Sequence, residues 1–140
     1  MTKQELTPST LYPSFFYDDA PAAIEWLCRA FGFHRRLVVA GPGGTVMHSE
    51  LAFGPAVIMV ATSKPDMGWV SPRSLSGINS ATSLYLEDPD SHFSQAMAAG
   101  AVVVRELRNE EYGGRGYMVR DPEGNQWYFG SYRPGAHWNE

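Results

Sequence analysis

The chain has 140 residues, 44% of them hydrophobic and 13% aromatic, with a formal net charge of −4 at pH 7. Lys and Arg are spread thinly rather than clustered, which argues against nucleic acid as a partner. The single cysteine, Cys28, cannot form an internal disulfide and suits a reducing, cytoplasmic setting. No basic leader runs into a long apolar stretch, so neither a signal peptide nor a membrane span is expected.

In chain order, Met1 to Ser9 reads as a frayed polar start. Thr10 to Tyr17 is a strand candidate, with Pro13 confining it to an edge or to the start of pairing. Asp18-Asp19-Ala20-Pro21 is a helix entry, a carboxylate at the N-cap and Pro in the first turn. Ala23, Ile24, Leu27, Cys28 and Phe31 recur at helical spacing, and Gly32 stops the helix. Phe33 to Val39 is a second strand, followed by a turn at Gly41-Pro42-Gly43-Gly44.

Val46 to Phe53 and Ala56 to Ala61 flank Gly54-Pro55 and predict a hairpin. With those two residues as the loop, Phe53 faces Ala56, Leu51 faces Ile58 and Ser49 faces Val60. The opposite face then carries Glu50 beside Met59, Ala52 beside Val57 and His48 beside Ala61. The first set suits packing under the helix, and the second faces water or a cavity. Residues 63–79, with several Pro, Gly and Ser, read as a linker loop. Trp69 within it is either packed against the body of the domain or a flap over a ligand.

The second half repeats the order of the first. Ser80 to Leu86 is a strand, and Glu87-Asp88-Pro89-Asp90 opens a helix with Phe93, Met97 and Ala98 on its apolar side. Gly100 stops it, and Ala101 to Leu107 is a strand. After a loop at Asn109 to Gly114, Gly116 to Arg120 and Gln126 to Gly130 close a last hairpin through Asp121-Pro122-Glu123-Gly124. The expected class is therefore α+β: a first βαβββ module at 10–62 and a second at 80–132, within one domain. Each module leaves one sheet face uncovered by its own helix.

The doubled acidic-Pro-helix-Gly pattern, the mid-chain hairpin and the Asp-Pro-x-Gly turn together resemble the vicinal oxygen chelate superfamily. This group takes in glyoxalase I, extradiol dioxygenases and bleomycin-resistance proteins. The resemblance runs from about Leu11 to Tyr132 and includes Asp19 to Leu27, His48-Ser49-Glu50-Leu51 and Tyr112 to Tyr117. It implies paired βαβββ modules forming a curved mixed sheet, and a homodimer. In metal-dependent members one side chain from the first and one from the last strand of each module converge on a divalent ion. The matching positions here are Tyr12, Met59, Ala81 and Tyr128. None is a carboxylate or imidazole, the donors a hard or borderline ion prefers. The resemblance thus implies no metal and no other cofactor.

His48 and Glu50, two apart on a strand, point to one face. They form a hydrogen-bonded pair in the cavity wall, a ligand contact, or an acid–base couple. His34 reads as an exposed basic corner, His92 as a polar helix entry, and His137 as tail. Cys28 reads as a buried small hydrophobe. The expected cavity lining is Tyr12, Ser14, Phe16, His48, Glu50, Met59, Tyr85, Tyr117 and Tyr128, with Trp69 and Tyr112 over it. Arg115 is either a solvated loop arginine or a cation that meets an acidic group of the ligand at the cavity mouth. The leading expectation is a small-molecule binding protein for an aromatic or amphipathic ligand, resembling the bleomycin-resistance members. The alternative is an enzyme of the same fold, a glyoxalase-like lyase or isomerase, using His48 and Glu50 or a non-standard metal.

Overall fold

Contacts divide the chain into two compact units, Met1–Ser74 and Leu75–Glu140. The computed structural model describes residues 9–136 and 138; nearly all of the polar start, and His137, lie outside the described residues. The first unit runs β1 (Ser14–Tyr17), α1 (Ala20–Phe31), β2 (His34–Ala40), β3 (Val46–Phe53) and β4 (Ala56–Thr62), in the sheet order β1-β4-β3-β2. The second runs β5 (Thr82–Tyr85), α2 (Pro89–Ala98), β6 (Val102–Asn109), β7 (Arg115–Arg120) and β8 (Gln126–Gly130), in the equivalent order β5-β8-β7-β6. In each sheet the first and last strands of the unit pair in parallel and the other pairs are antiparallel. The α+β fold, βαβββ twice over, is the one the sequence predicts.

The helix entries work as their residues require. Asp19 accepts from Ala22 N–H at 3.2 Å, and Asp88 accepts from Ser91 N–H at 3.1 Å, each with a proline in the first turn. Gly32 takes the left-handed cap at φ 86° and returns its N–H to the Cys28 carbonyl. α1 buries Ile24, Leu27 and Phe31 as expected, and also Trp26 and Ala30. Tyr17, Leu51, Ile58 and Val60 are buried on one face of the sheet. Each large side chain so buried contributes roughly 1.5–3 kcal/mol. Cys28 is only half-buried, and burial pushes its thiol pKa up.

α2 makes a thinner core, burying only Pro89 and Ala96, while Ala98 is exposed instead of packed. The sheet under it supplies most of the apolar mass through Leu84, Tyr117, Val119, Trp127 and Phe129. His92, at the helix entry, is packed: its ring lies 4.3 Å from Phe129 and hydrogen-bonds the Tyr117 hydroxyl.

The mid-chain hairpin has the predicted register, Glu50 opposite Met59, Leu51 opposite Ile58, Ala52 opposite Val57 and Phe53 opposite Ala56. Beyond Glu50 a side chain takes over from the ladder. The buried Ser49 hydroxyl donates to the Val60 carbonyl at 2.6 Å and accepts from Val60 N–H at 3.2 Å. β1 begins four residues later than the sequence suggests, at Ser14. Pro13 has no N–H to pair, yet its carbonyl still accepts from Met59 N–H at 2.9 Å.

The last hairpin is held by Asp121. One carboxylate oxygen accepts from the backbone N–H of Glu123, Gly124 and Asn125 at 3.0–3.1 Å, and the other accepts from Trp127 Nε1 at 3.0 Å. Asp121 is only 3% exposed, so these bonds replace its lost hydration. No helix among the described residues is long and apolar enough to cross a membrane.

Candidate functional site

In the first unit, the sheet face turned away from α1 carries an open cavity of about 190 Å³. β1 brings Ser14 and Phe16 to it, β4 brings Met59 and Ala61, and β3 brings Met47 and His48. The wall is completed by Lys64 and Trp69, at either end of a tight loop. Lys64 N–H donates to the Trp69 carbonyl at 2.7 Å and Trp69 N–H to the Lys64 carbonyl at 3.1 Å. The loop therefore presents its ring from a fixed base. Trp69 stacks on Phe16 at 5.0 Å between centroids and 16° between planes, and Lys64 Nζ stands 5.7 Å from the indole. Trp69 is thus both packed and on the cavity wall. Sequence reasoning passed over Lys64, whose signal was its place beside Trp69 in a Pro-Gly loop.

His48 and Glu50 lie on this same face and are joined, Nε2 to Oε2, at 2.8 Å, each side chain 41% exposed. His48 lines the cavity and Glu50 stands outside it. The face continues onto β2, where Leu37 opposes Glu50 and Val39 opposes His48, both partly exposed. Tyr12 is not gathered in. It precedes β1, and its hydroxyl turns back to the Ser9 carbonyl.

The corresponding face of the second unit carries a buried polar cluster. Its centre is Glu110, whose side chain is fully buried and meets two arginines. Arg105 reaches both carboxylate oxygens, at 3.1 and 2.8 Å, and Arg108 Nε donates at 3.2 Å. Tyr112 donates its hydroxyl to the same carboxylate while its ring meets Tyr132 edge-on. Burial pushes the Glu110 pKa up, but the bonds from Tyr112, Arg105 and Arg108 outweigh it, and the carboxyl ends below its ordinary value. The same bond pushes the Tyr112 phenol up to about 12. Tyr112 is therefore a clasp on this cluster, although its ring is exposed.

Tyr128 opposes Ser83 on one side and Met118 on the other, and is 8% exposed. Its ring lies along the sheet over two glycines: a Cβ at Gly116 or Gly130 would come within 2.4 or 2.6 Å of the hydroxyl. Burial first, then the Glu110 charge, pushes its phenol pKa up. Tyr112 and Arg105 are near enough to act on that phenol, yet its buried oxygen completes no hydrogen bond of good geometry. Tyr85 is half-buried beneath the Arg133 guanidinium, 3.7 Å from its ring.

Two predicted ligand contacts lie on the wrong side. Tyr117 opposes Phe129 and Met118 opposes Tyr128, so Tyr117 faces α2, fully buried and edge-on to Phe93 at 4.9 Å. The cause is strand parity: neighbouring residues point to opposite faces. Arg115 shares Tyr117's parity and pairs with Asp90 in the first turn of α2, at 3.0 and 3.1 Å. That pairing holds the Asp90 carboxyl below its ordinary value.

The positions matching the metal ligands of the resembled family carry a phenol at Tyr12, a thioether at Met59, a methyl at Ala81 and a phenol at Tyr128. Among the described residues no three His, Cys, Asp or Glu side chains cluster as ligands for an ion.

Comparison with known proteins agrees with this fold. A family model described as the Glyoxalase/Bleomycin resistance protein/Dioxygenase superfamily matches residues 11–129. An uncharacterised protein of Mycobacterium bovis, Mb0911c, is 33% identical over 123 residues, covering 86% of this chain and 81% of its own length. The crystal structure of TioX from Micromonospora sp. ML1 is 32% identical with a TM-score of 0.70, covering 89% of this chain and 99% of that one. A family enzyme from Burkholderia phytofirmans PsJN shares the fold at 21% identity and a TM-score of 0.70, covering 86% of this chain and 95% of its own.

Proposed function

Because the chain belongs to the glyoxalase/bleomycin resistance protein/dioxygenase superfamily, we propose that it is a small-molecule binding protein. In this reading it holds an aromatic or amphipathic ligand without a metal. The carrying observation is the first unit's cavity, walled by the stacked Phe16 and Trp69 and floored by Met59 and Ala61. An apolar cavity of about 150 Å³ accepts benzene, so about 190 Å³ suits one ring system or the ring end of a larger molecule. The ion-binding positions of the family do not fit a divalent metal here, since a phenol, a thioether and a methyl replace the carboxylates and imidazoles it requires.

Calorimetric titration of the whole chain with 1-methylindole, a planar apolar probe, tests the reading. Saturable binding is expected. Trp69→Ala should weaken it about two- to twelvefold, the value of one aromatic contact, with little change in the unfolding midpoint. Saturation by neither 1-methylindole nor indole removes the reading.

The 2.8 Å His48–Glu50 bond on the same face favours a second reading. In it the pair moves a proton in a glyoxalase-like lyase or isomerase reaction. Glu50→Gln should then cut turnover by about 10²–10⁴-fold while the fold persists. Unchanged turnover would exclude the pair from chemistry.

A further inference from the structure

The His48–Glu50 contact fixes more than a pairing. An ionised carboxylate can only accept a hydrogen bond, so the neutral imidazole holding it must carry its proton on Nε2, the atom 2.8 Å from Glu50 Oε2. Nδ1 is then a bare acceptor. No other hydrogen bond reaches the imidazole among the described residues. His48 lines the cavity and Glu50 does not, so with Nε2 committed to Glu50 the hydrogen-bonding atom the ring has left for an occupant is Nδ1.

The remaining wall sharpens the demand. Phe16, Met47, Met59, Ala61 and Trp69 provide apolar contact. Lys64 lies against the indole as a cation, and Ser14 offers a hydroxyl. Lys64 is a donor, Ser14 can act as either, and the Met47 and Met59 sulfurs accept only weakly, so His48 Nδ1 is the strongest acceptor-only side-chain atom of the wall. A ligand without a donor would strip water from that nitrogen and give nothing back.

Resting on the binding reading above, we propose that the cavity's occupant is a planar ring carrying its own in-plane hydrogen-bond donor. An aromatic N–H or a phenolic O–H would give that proton to His48 Nδ1 while the ring lies against the Phe16–Trp69 wall. Glu50 is a positioning residue: it sets the imidazole's tautomer and touches no ligand.

Indole and 1-methylindole isolate this term, since they differ only in whether the ring nitrogen bears a proton. Calorimetry on the whole chain should give indole a dissociation constant roughly tenfold lower, although the methylated probe is the more apolar. His48→Phe keeps a ring in the wall but deletes the acceptor, and should erase the preference. Glu50→Gln, whose amide can donate to Nε2 and release the proton to Nδ1, should shrink it. Nitrogen NMR of His48 in the unmodified chain supplies a readout independent of either variant's folding, and should show Nδ1 as the unprotonated nitrogen. Equal affinity for the two probes, or a protonated Nδ1 in the neutral ring, overturns the proposal and leaves the binding reading standing. Saturation by neither probe overturns both.

Discussion

Ser14 opposes Met59 in the first unit, and Ser83 opposes Tyr128 in the second. These are equivalent places in two sheets of the same strand order, yet their surroundings diverge. Around Met59 the neighbours are Ala61 and His48, and space remains for a ligand. Around Tyr128 two glycines let the ring lie flat, and Arg105, Glu110 and Tyr112 close over the rest of the face. The comparison separates topology from use. A βαβββ unit leaves one sheet face for its side chains to dispose of, and a few of them decide whether it becomes a cavity or a buried polar cluster.

The hairpins that end the two units differ in the same sense, and the largest predicted effect lies there. The first closes through the two-residue Gly54-Pro55 loop, whereas the second depends on the buried Asp121. Asp121→Ala deprives three backbone N–H groups and one indole N–H of their acceptor. A cost of roughly 4 kcal/mol is expected, since bonds to a charged group are worth about 1.5–3 kcal/mol each and water recovers part of the loss. Urea unfolding measures it, and a loss below about 1 kcal/mol would show that the turn holds itself.

One substitution made in both units tests the division directly. Glu110→Gln removes the carboxylate that two arginines share and should destabilise by about 3 kcal/mol. Glu50→Gln, at a partly exposed site, should change stability by less than about 1 kcal/mol. The acid limb of stability carries the same signature. The Glu110 carboxyl is held below its ordinary value in the folded chain, so its contribution is complete above about pH 4.3 and drains away as pH falls through the folded value. Glu110→Gln should flatten that limb. Equal costs, or an unchanged acid limb in Glu110→Gln, would erase the distinction.

How far the sequence foretold this follows from what fixes register. In the first unit a two-residue loop leaves one pairing available, so Glu50 beside Met59 and His48 on the cavity side were legible from Gly54-Pro55 alone. In the second, the longer Asp121–Asn125 connection leaves the register open, and Tyr117 and Tyr128 were assigned to one face when they lie on opposite faces. The missed signal was alternation: Tyr117 and Val119 share a parity with each other, as do Trp127 and Phe129, and all four are fully buried. The Glu110 cluster was illegible for another reason. Asn109 to Gly114 has loop composition, and nothing local reveals that Arg105 and Arg108 turn onto the next loop's carboxylate.

The smallest predicted effect is the most specific to the second unit's face. Tyr128 stands where the resembled family carries a metal ligand, and its hydroxyl is buried without completing a hydrogen bond. If the ring is there to fill the trough over Gly116 and Gly130, its hydroxyl is a desolvated group with no return. Tyr128→Phe should then leave stability unchanged or raise it by up to about 1 kcal/mol, because removing an unpaired polar atom while keeping the ring costs nothing. A loss of 1 kcal/mol or more would mean that Tyr112, Arg105 or a bound water satisfies the phenol in solution. Tyr128 would then belong to the Glu110 cluster as a hydrogen-bonding member, and the second unit's face would owe its closure to polar bonding as much as to volume.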